Sequence, residues 1–358
     1  MDHLTTAKLL DTYRSQIVDQ AVTIALQNPF WIERFGPGFR ERLSLDIDLN
    51  MAALAKAVRY RSPMIIDDHV RWRRSQIIGF GCSTGHVREI FGYKWAAISA
   101  LLSAETHATV YDYLQSAMMA LEYPTADTRA ISAAHDQLAT ELTNATYDGA
   151  WHWQAAYGPD GRDLALRDNW FLIDFAIDSV GAQNPDMLGK HARMHRDACL
   201  KRGLSSIHVQ QLLWLGTQSA EQLLEPAPSA ALQGVFEKAA GYLMYDNEAC
   251  NALLTAQDGI VGEVAEQLSV AGLAPQPDQA AMEVGWYLAY LNDSMAAGSS
   301  TGLVNYARWM QHYFSSQGLP DTPLRQSFVF LTQAVERHLP QYAASAAREM
   351  IGAAQRAL

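Results

Sequence analysis

His69, Trp72 and Arg73 lie in the stretch HVRWRRSQIIGFG, residues 69 to 81, where Arg71, Arg73 and Arg74 surround a tryptophan. Guanidinium groups beside an indole suit a phosphate or another anion. A second concentration is YDGAWHWQAAYGPDGRD, residues 147 to 163, with Trp151, His152, Trp153 and Tyr157. Aromatic surfaces this dense can stack on a flat ligand, although Trp and Tyr at helical spacing also build cores. With Trp95, His191 and Trp309, the candidate ligand-binding set is His69, Trp72, Arg73, Trp95, Trp151, Trp153, His191 and Trp309. No catalytic residue is assigned. HExxH, GxSxG and P-loop motifs are absent, as are a GxGxxG in strand–helix context and the paired ExxH of di-iron bundles.

His69 and His86 recur as His191 and His208, a pairing that invites a metal or haem. Placed on consecutive antiparallel helices they fall at opposite ends, roughly 15–20 Å apart at the rise of a helix. No metal and no cofactor are predicted; a flat tetrapyrrole-like or corrinoid ligand is the alternative. Cys82, Cys199 and Cys250 are far apart, without a CxxC, so neither a disulfide framework nor a structural zinc site is signalled.

The elements that carry these residues are helices. Leu9, Tyr13, Ile17, Ala21 and Ile24 show the three- and four-residue spacing, and alternating Val/Ile/Thr runs are nearly absent. The fold class expected is all-α. Internal comparison then divides the chain. Shifted by 122 residues, HVRWRRSQIIGFG meets HARMHRDACLKRG; shifted by 237, it meets YARWMQHYFSSQG. Gly81, Gly203 and Gly318 coincide, and so do Val87, Val209 and Leu324 and then Phe91, Leu213 and Phe328. Three tandem helical-bundle repeats are expected, over residues 1–125, 126–247 and 248–358, each of about five helices. In the first these run near 6–27, 40–58, 64–80, 84–103 and 106–122. The shared glycines fit helix C-caps, where a left-handed conformation is cheapest for Gly.

Asp46 and Arg71, Asp168 and Arg193, and Glu283 and Arg308 are each 25 residues apart, centred on the turn between helices 2 and 3. The spacing predicts an interhelical ion pair in each repeat, setting register more than stability.

Composition bounds the partners. The net charge is −11, from 38 acidic and 27 basic side chains, which opposes a polyanion and disfavours nucleic acid. The start MDHLTTAKLL lacks the pattern of a secretory leader, and no window resembles a membrane span. A cytoplasmic protein with no membrane partner is expected.

The pattern W-x8-G-(polar)-V-x3-F in residues 72 to 91, after the helix RERLSLDIDLNMAALAKAV, resembles the helical N-terminal sensory domain of RsbR/RsbRD-type, stressosome-like regulators, and similar domains head PucR-type regulators. The segment YARWMQHYFSSQGLPDTPLRQSFVFLTQAVERHLP is similar too. The resemblance implies sensory modules, some globin-like without haem. In similar haem-binding sensors the proximal His stands four residues before the glycine; here those positions are Ile77, Cys199 and Phe314. No STAS, kinase or DNA-binding output segment is recognised in these residues. The function expected is a non-enzymatic sensor, small-molecule binder or interaction scaffold, whose partner is a protein or a small apolar or aromatic ligand; a homo-oligomer stays open. The alternatives are a carrier of a flat ligand and an enzyme with an unrecognised helical active site.

Overall fold

The computed structural model describes residues 2–274 and 276–358, and of residues 30, 33, 34, 79, 151 and 277 the backbone alone. The described residues are mostly helical, with no strand among them. In chain order the helices are α1 (His3–Thr12), α2 (Arg14–Ala25), α3 (Phe30–Phe35), α4 (Phe39–Tyr60), α5 (Met64–Gly79), α6 (Thr84–Leu101), α7 (Ala104–Ala120), α8 (Ala126–Ala133) and α9 (His135–Thr143). A π-helical turn (Asn144–Asp148) leads to α10 (Trp151–Tyr157), α11 (Arg162–Gly181), α12 (Asp186–Lys201), α13 (Ser206–Leu223) and α14 (Pro226–Gly241). The last five are α15 (Glu248–Val270), α16 (Pro277–Ala297), α17 (Thr301–Ser316), α18 (Thr322–His338) and α19 (Gln341–Ala357). None of them is long and apolar enough to cross a membrane, among the described residues.

Two compact units form. One comprises Met1–Ala139, Arg167–Leu188 and Leu223–Val235; the other comprises Thr140–Leu166, Gly189–Gln222 and Phe236–Leu358. In the first, α4 packs against α1, α2 and α5, and α2 against α6. The reason is written in α4, where Leu43, Ile47, Met51, Leu54 and Val58 recur every three or four residues and are all buried. They meet Leu10, Ile17, Val87, Phe91 and Leu114 in one apolar cluster. Each large side chain buried in this way contributes roughly 1.5–3 kcal/mol. In the second unit α15 packs against α16 and α18, and α19 against α17 and α18, around Leu253, Ile260, Leu291, Phe328, Leu331 and Ile351.

Turn chemistry stops the helices where the sequence predicts. Gly81, Gly203 and Gly318, after α5, α12 and α17, have φ of 78°, 86° and 68°, a region that a side chain strains and Gly does not. The expected first helix is broken in two at Tyr13, and α3 lies between the first two expected helices.

The expected ion pairs need correction. Arg71 is exposed and pairs along its own helix with Asp68 at 3.1 Å. Asp46 pairs instead with Arg73. Two residues further along a helix is a turn of about 200°, so Arg73 faces α4 where Arg71 faces away. Arg193 is also exposed, its guanidinium 5.5 Å from the Tyr242 ring, and Arg308 is exposed while Glu283 accepts from Gln279 in its own helix at 3.3 Å.

Candidate functional site

The candidate ligand-binding residues do not converge on one place. His69 and Arg73 border a buried charge cluster in the first unit, and Trp72 lies beside them half-exposed, its ring 5.8 Å from that of His69. At the cluster's centre Lys94 is 1% exposed, its Nζ 3.2 Å from the centroid of Phe91. Burial pulls the Lys94 ammonium down to about 7, against the attraction of Asp46 and with the repulsion of Arg73. Burial, then Lys94 and Arg73, push His69 down to about 4, so its ring is neutral. Trp95 stands apart, edge-on to His107 and Tyr111.

Trp153 and Trp309 belong to an aromatic group in the second unit. Trp153 is buried against Tyr157, His195 and His208, and His191 is 6.1 Å from His195. Trp309 stacks on Tyr313 at 5.3 Å and lies 5.9 Å from His152, which in turn stacks on Trp286 at 4.9 Å. The side chain of Trp151 lies outside the described residues.

Two helix starts organise the remaining polar chemistry. At α6, the Ser83 N–H donates to His86 Nδ1 at 3.0 Å, so the histidine takes the part that Glu or Gln plays in a capping box. The Thr84 N–H donates to Asp178 Oδ2 at 2.6 Å, and the Thr84 hydroxyl to Oδ1. A carboxylate at a helix N-terminus meets unsatisfied N–H groups and the positive end of the dipole. At α13, Ser205 N–H donates to His208 Nδ1 at 3.0 Å, and Ser206 N–H to Asp293 Oδ2 at 2.9 Å. Tyr245 donates to the other oxygen of Asp293 at 2.7 Å.

Around this shared plan the neighbours differ. Beside α6, Asp174 fits against Gly85, where an added Cβ would stand 1.7 Å from Asp174 Oδ2. Arg88 Nη1 is 3.4 Å and His135 Nε2 3.5 Å from Asp174 Oδ1. Burial favours the neutral His135 ring, but Asp174 and Asp136 outweigh it and raise its proton affinity. Burial, eased by the Thr84 donors and reinforced by Asp174, pushes Asp178 up to about 6. An open cavity of about 310 Å³ adjoins, lined by Arg88, Gln115, Met118, Met119, Glu122 and His135 among others. Beside α13, by contrast, Trp286 and Tyr290 flank His208, with ring centroids at 4.7 and 6.1 Å. Burial and then His152 push His208 down to about 3, and burial pushes His152 down to about 4. With Nδ1 accepting, the proton of His208 sits on Nε2, which is buried without a hydrogen-bond partner.

Arg74 and Arg196 are structural. Arg74 lies 4.2 Å over the Tyr123 ring and donates to the Leu121 carbonyl at 2.7 Å; Arg196 lies 4.4 Å over Tyr245 and donates to Leu243 at 3.0 Å. The three cysteines are buried thiols, and burial, then Asp293, push Cys250 up to about 11, which makes it a poor nucleophile. Among the described residues no group of three or more His, Cys, Asp or Glu is arranged to hold a metal ion.

The Ser–His caps and their aspartates were missed in the sequence, although a signal existed: Asp178 and Asp293 coincide with each other, and with Lys56, under the shifts of 122 and 237 residues. No family model, curated protein or solved structure matches the chain.

Proposed function

We propose that the chain consists of three copies of one helical unit, over residues 1–125, 126–247 and 248–358, and works as a non-enzymatic small-molecule-binding sensor. Helix bounds support the copies: moved by 122 residues, α5 and α6 fall end to end on α12 and α13, and moved by 237, α5 and α7 fall on α17 and α19. The left-handed residues Arg61, Gln183 and Gly298 keep the same register. So do the two arginine–tyrosine clamps and the two histidine-capped helix starts.

The binding reading is carried by the cavity beside α6. Its lining combines cations in Arg88 and His135, a carboxylate in Glu122 and an apolar wall in Met118 and Met119. Asp174 occupies one side of Arg88 at 3.4 Å and leaves other guanidinium N–H groups to donate. A small zwitterion of amino-acid size suits this lining, its acid group on Arg88 and its ammonium on Glu122. Titration calorimetry with a panel of small zwitterions is the test. Saturable binding that weakens in both Arg88→Ala and Glu122→Gln supports the reading, and a panel with no binder overturns it. The likeness to stressosome sensory domains suggests a protein as the recipient of the signal.

A second reading, a carrier of a flat ligand, is favoured by the His152–Trp286 stack and the buried Nε2–H of His208, which would donate to a heteroatom of such a ligand. An absorption band of the purified protein beyond that of its own aromatic residues would support it.

A further inference from the structure

The start of α18 and the outward face of α4 carry the register positions that form the junctions within the chain. We propose that they bind each other between molecules, head to tail, the partner being a second copy of this chain. The proposal rests on the copy register given above. In the first junction Thr84 and His86 meet Phe171, Phe175 and Asp178, with the His86 ring 4.0 Å from Phe171. In the second, Ser206 and His208 meet Trp286, Tyr290 and Asp293. The third copy has Asp321 and Pro323 at the helix start, and the first has Leu49, Ala53 and Lys56 on the face.

The residues at these positions in the first and third copies are matched. In the two junctions above a hydroxyl residue donates to a carboxylate; in the third copy a carboxylate, Asp321, takes the donor's position, and in the first an ammonium, Lys56, takes the acceptor's. The start of α18 and the α4 face are thus complementary with the polarity exchanged. Asp321 is held in place by Gln311 at 3.0 Å and Arg325 at 2.8 Å, and a carboxylate with two such donors still has lone pairs for a third. The outward face of α4 presents large apolar side chains. Leu45 is 62%, Leu49 42% and Tyr60 64% exposed, and Lys56 is exposed among them. Leu49 stands where Phe171 and Trp286 receive a histidine ring, and Pro323 would take the place of that ring.

Sedimentation equilibrium of the full chain tests this. The weight-average mass of the wild type should rise above that of one chain as the protein is concentrated. Lys56→Glu and Asp321→Lys should each weaken association about tenfold, and the double variant should restore it. Circular dichroism checks that the substitutions at exposed Lys56 and half-buried Asp321 leave the fold intact, and Leu49→Asp, judged the same way, tests the apolar half. A mass that stays at one chain, or association indifferent to both charge reversals, overturns the proposal, as does a double variant that fails to recover. The copy reading stands or falls separately: it expects Asp178→Ala and Asp293→Ala to lower the melting temperature by similar amounts whatever the mass.

Discussion

The starts of α6 and α13 share a serine, a histidine bonded back to it, and an aspartate from another helix, yet one is surrounded by charge and the other by rings. Gly85, Arg88 and Asp174 at the first correspond to Ile207, Gln210 and Ala289 at the second; Phe171 corresponds to Trp286. What is common closes the helix end and fixes the junction. What differs sets the chemistry that each junction offers. Gly85 shows the coupling: only a residue without Cβ admits the Asp174 carboxylate, and only that carboxylate holds Arg88 and His135 together beside the cavity.

The sharpest way to break the contrast is Gly85→Ala, whose methyl would displace Asp174; we expect a loss of about 3 kcal/mol in chemical denaturation. Ile207→Ala, at the half-exposed counterpart, should cost about 1 kcal/mol. Arg74→Ala and Arg196→Ala, by contrast, should cost about 2 kcal/mol each and resemble one another, because the clamp is common to both regions; unequal losses in thermal melts would show that the two are not equivalent.

Acid should separate the regions by sign. His208 ordinarily titrates at 6.5 and is held down to about 3, so its contribution is complete above pH 6.5 and is lost as pH falls towards 3. Asp178, raised from 3.8 to about 6, contributes below pH 3.8 and loses that contribution as pH rises through 6. His208→Gln keeps an acceptor for the Ser205 N–H and removes the titration. Its stability at pH 7 should change by under about 1 kcal/mol, while the acid loss between pH 6.5 and 4 shrinks by roughly 2 kcal/mol. The smallest effect is expected for Arg71→Ala, within about 0.5 kcal/mol, because its ion pair with Asp68 is exposed.

Much of the helical order was legible because periodicity and turn residues act locally. The bounds of α4 to α7 lie within two residues of those expected, and the glycines mark the turns. Side-chain partners were less legible. Symmetry about a turn locates a pair only to within a residue or two, and each residue rotates a helix by about 100°, which is why Asp46 found Arg73 and not Arg71. Lys94 gave no signal, since a lysine in the run GYKWAAI reads as a solvated position until α4 and α5 close over it. The candidate aromatic and histidine residues scattered for the same reason: which faces meet is a property of packing, not of spacing along the chain.

Lys94 carries a kinetic consequence. Near neutral pH its amine spends a large fraction of the time unprotonated, the form that attacks acylating reagents, while 99% of its surface is shielded from them. Its labelling rate is therefore a count of how often α4, α5 and α6 part. A single internal amine gives this helical unit a clock for its own opening.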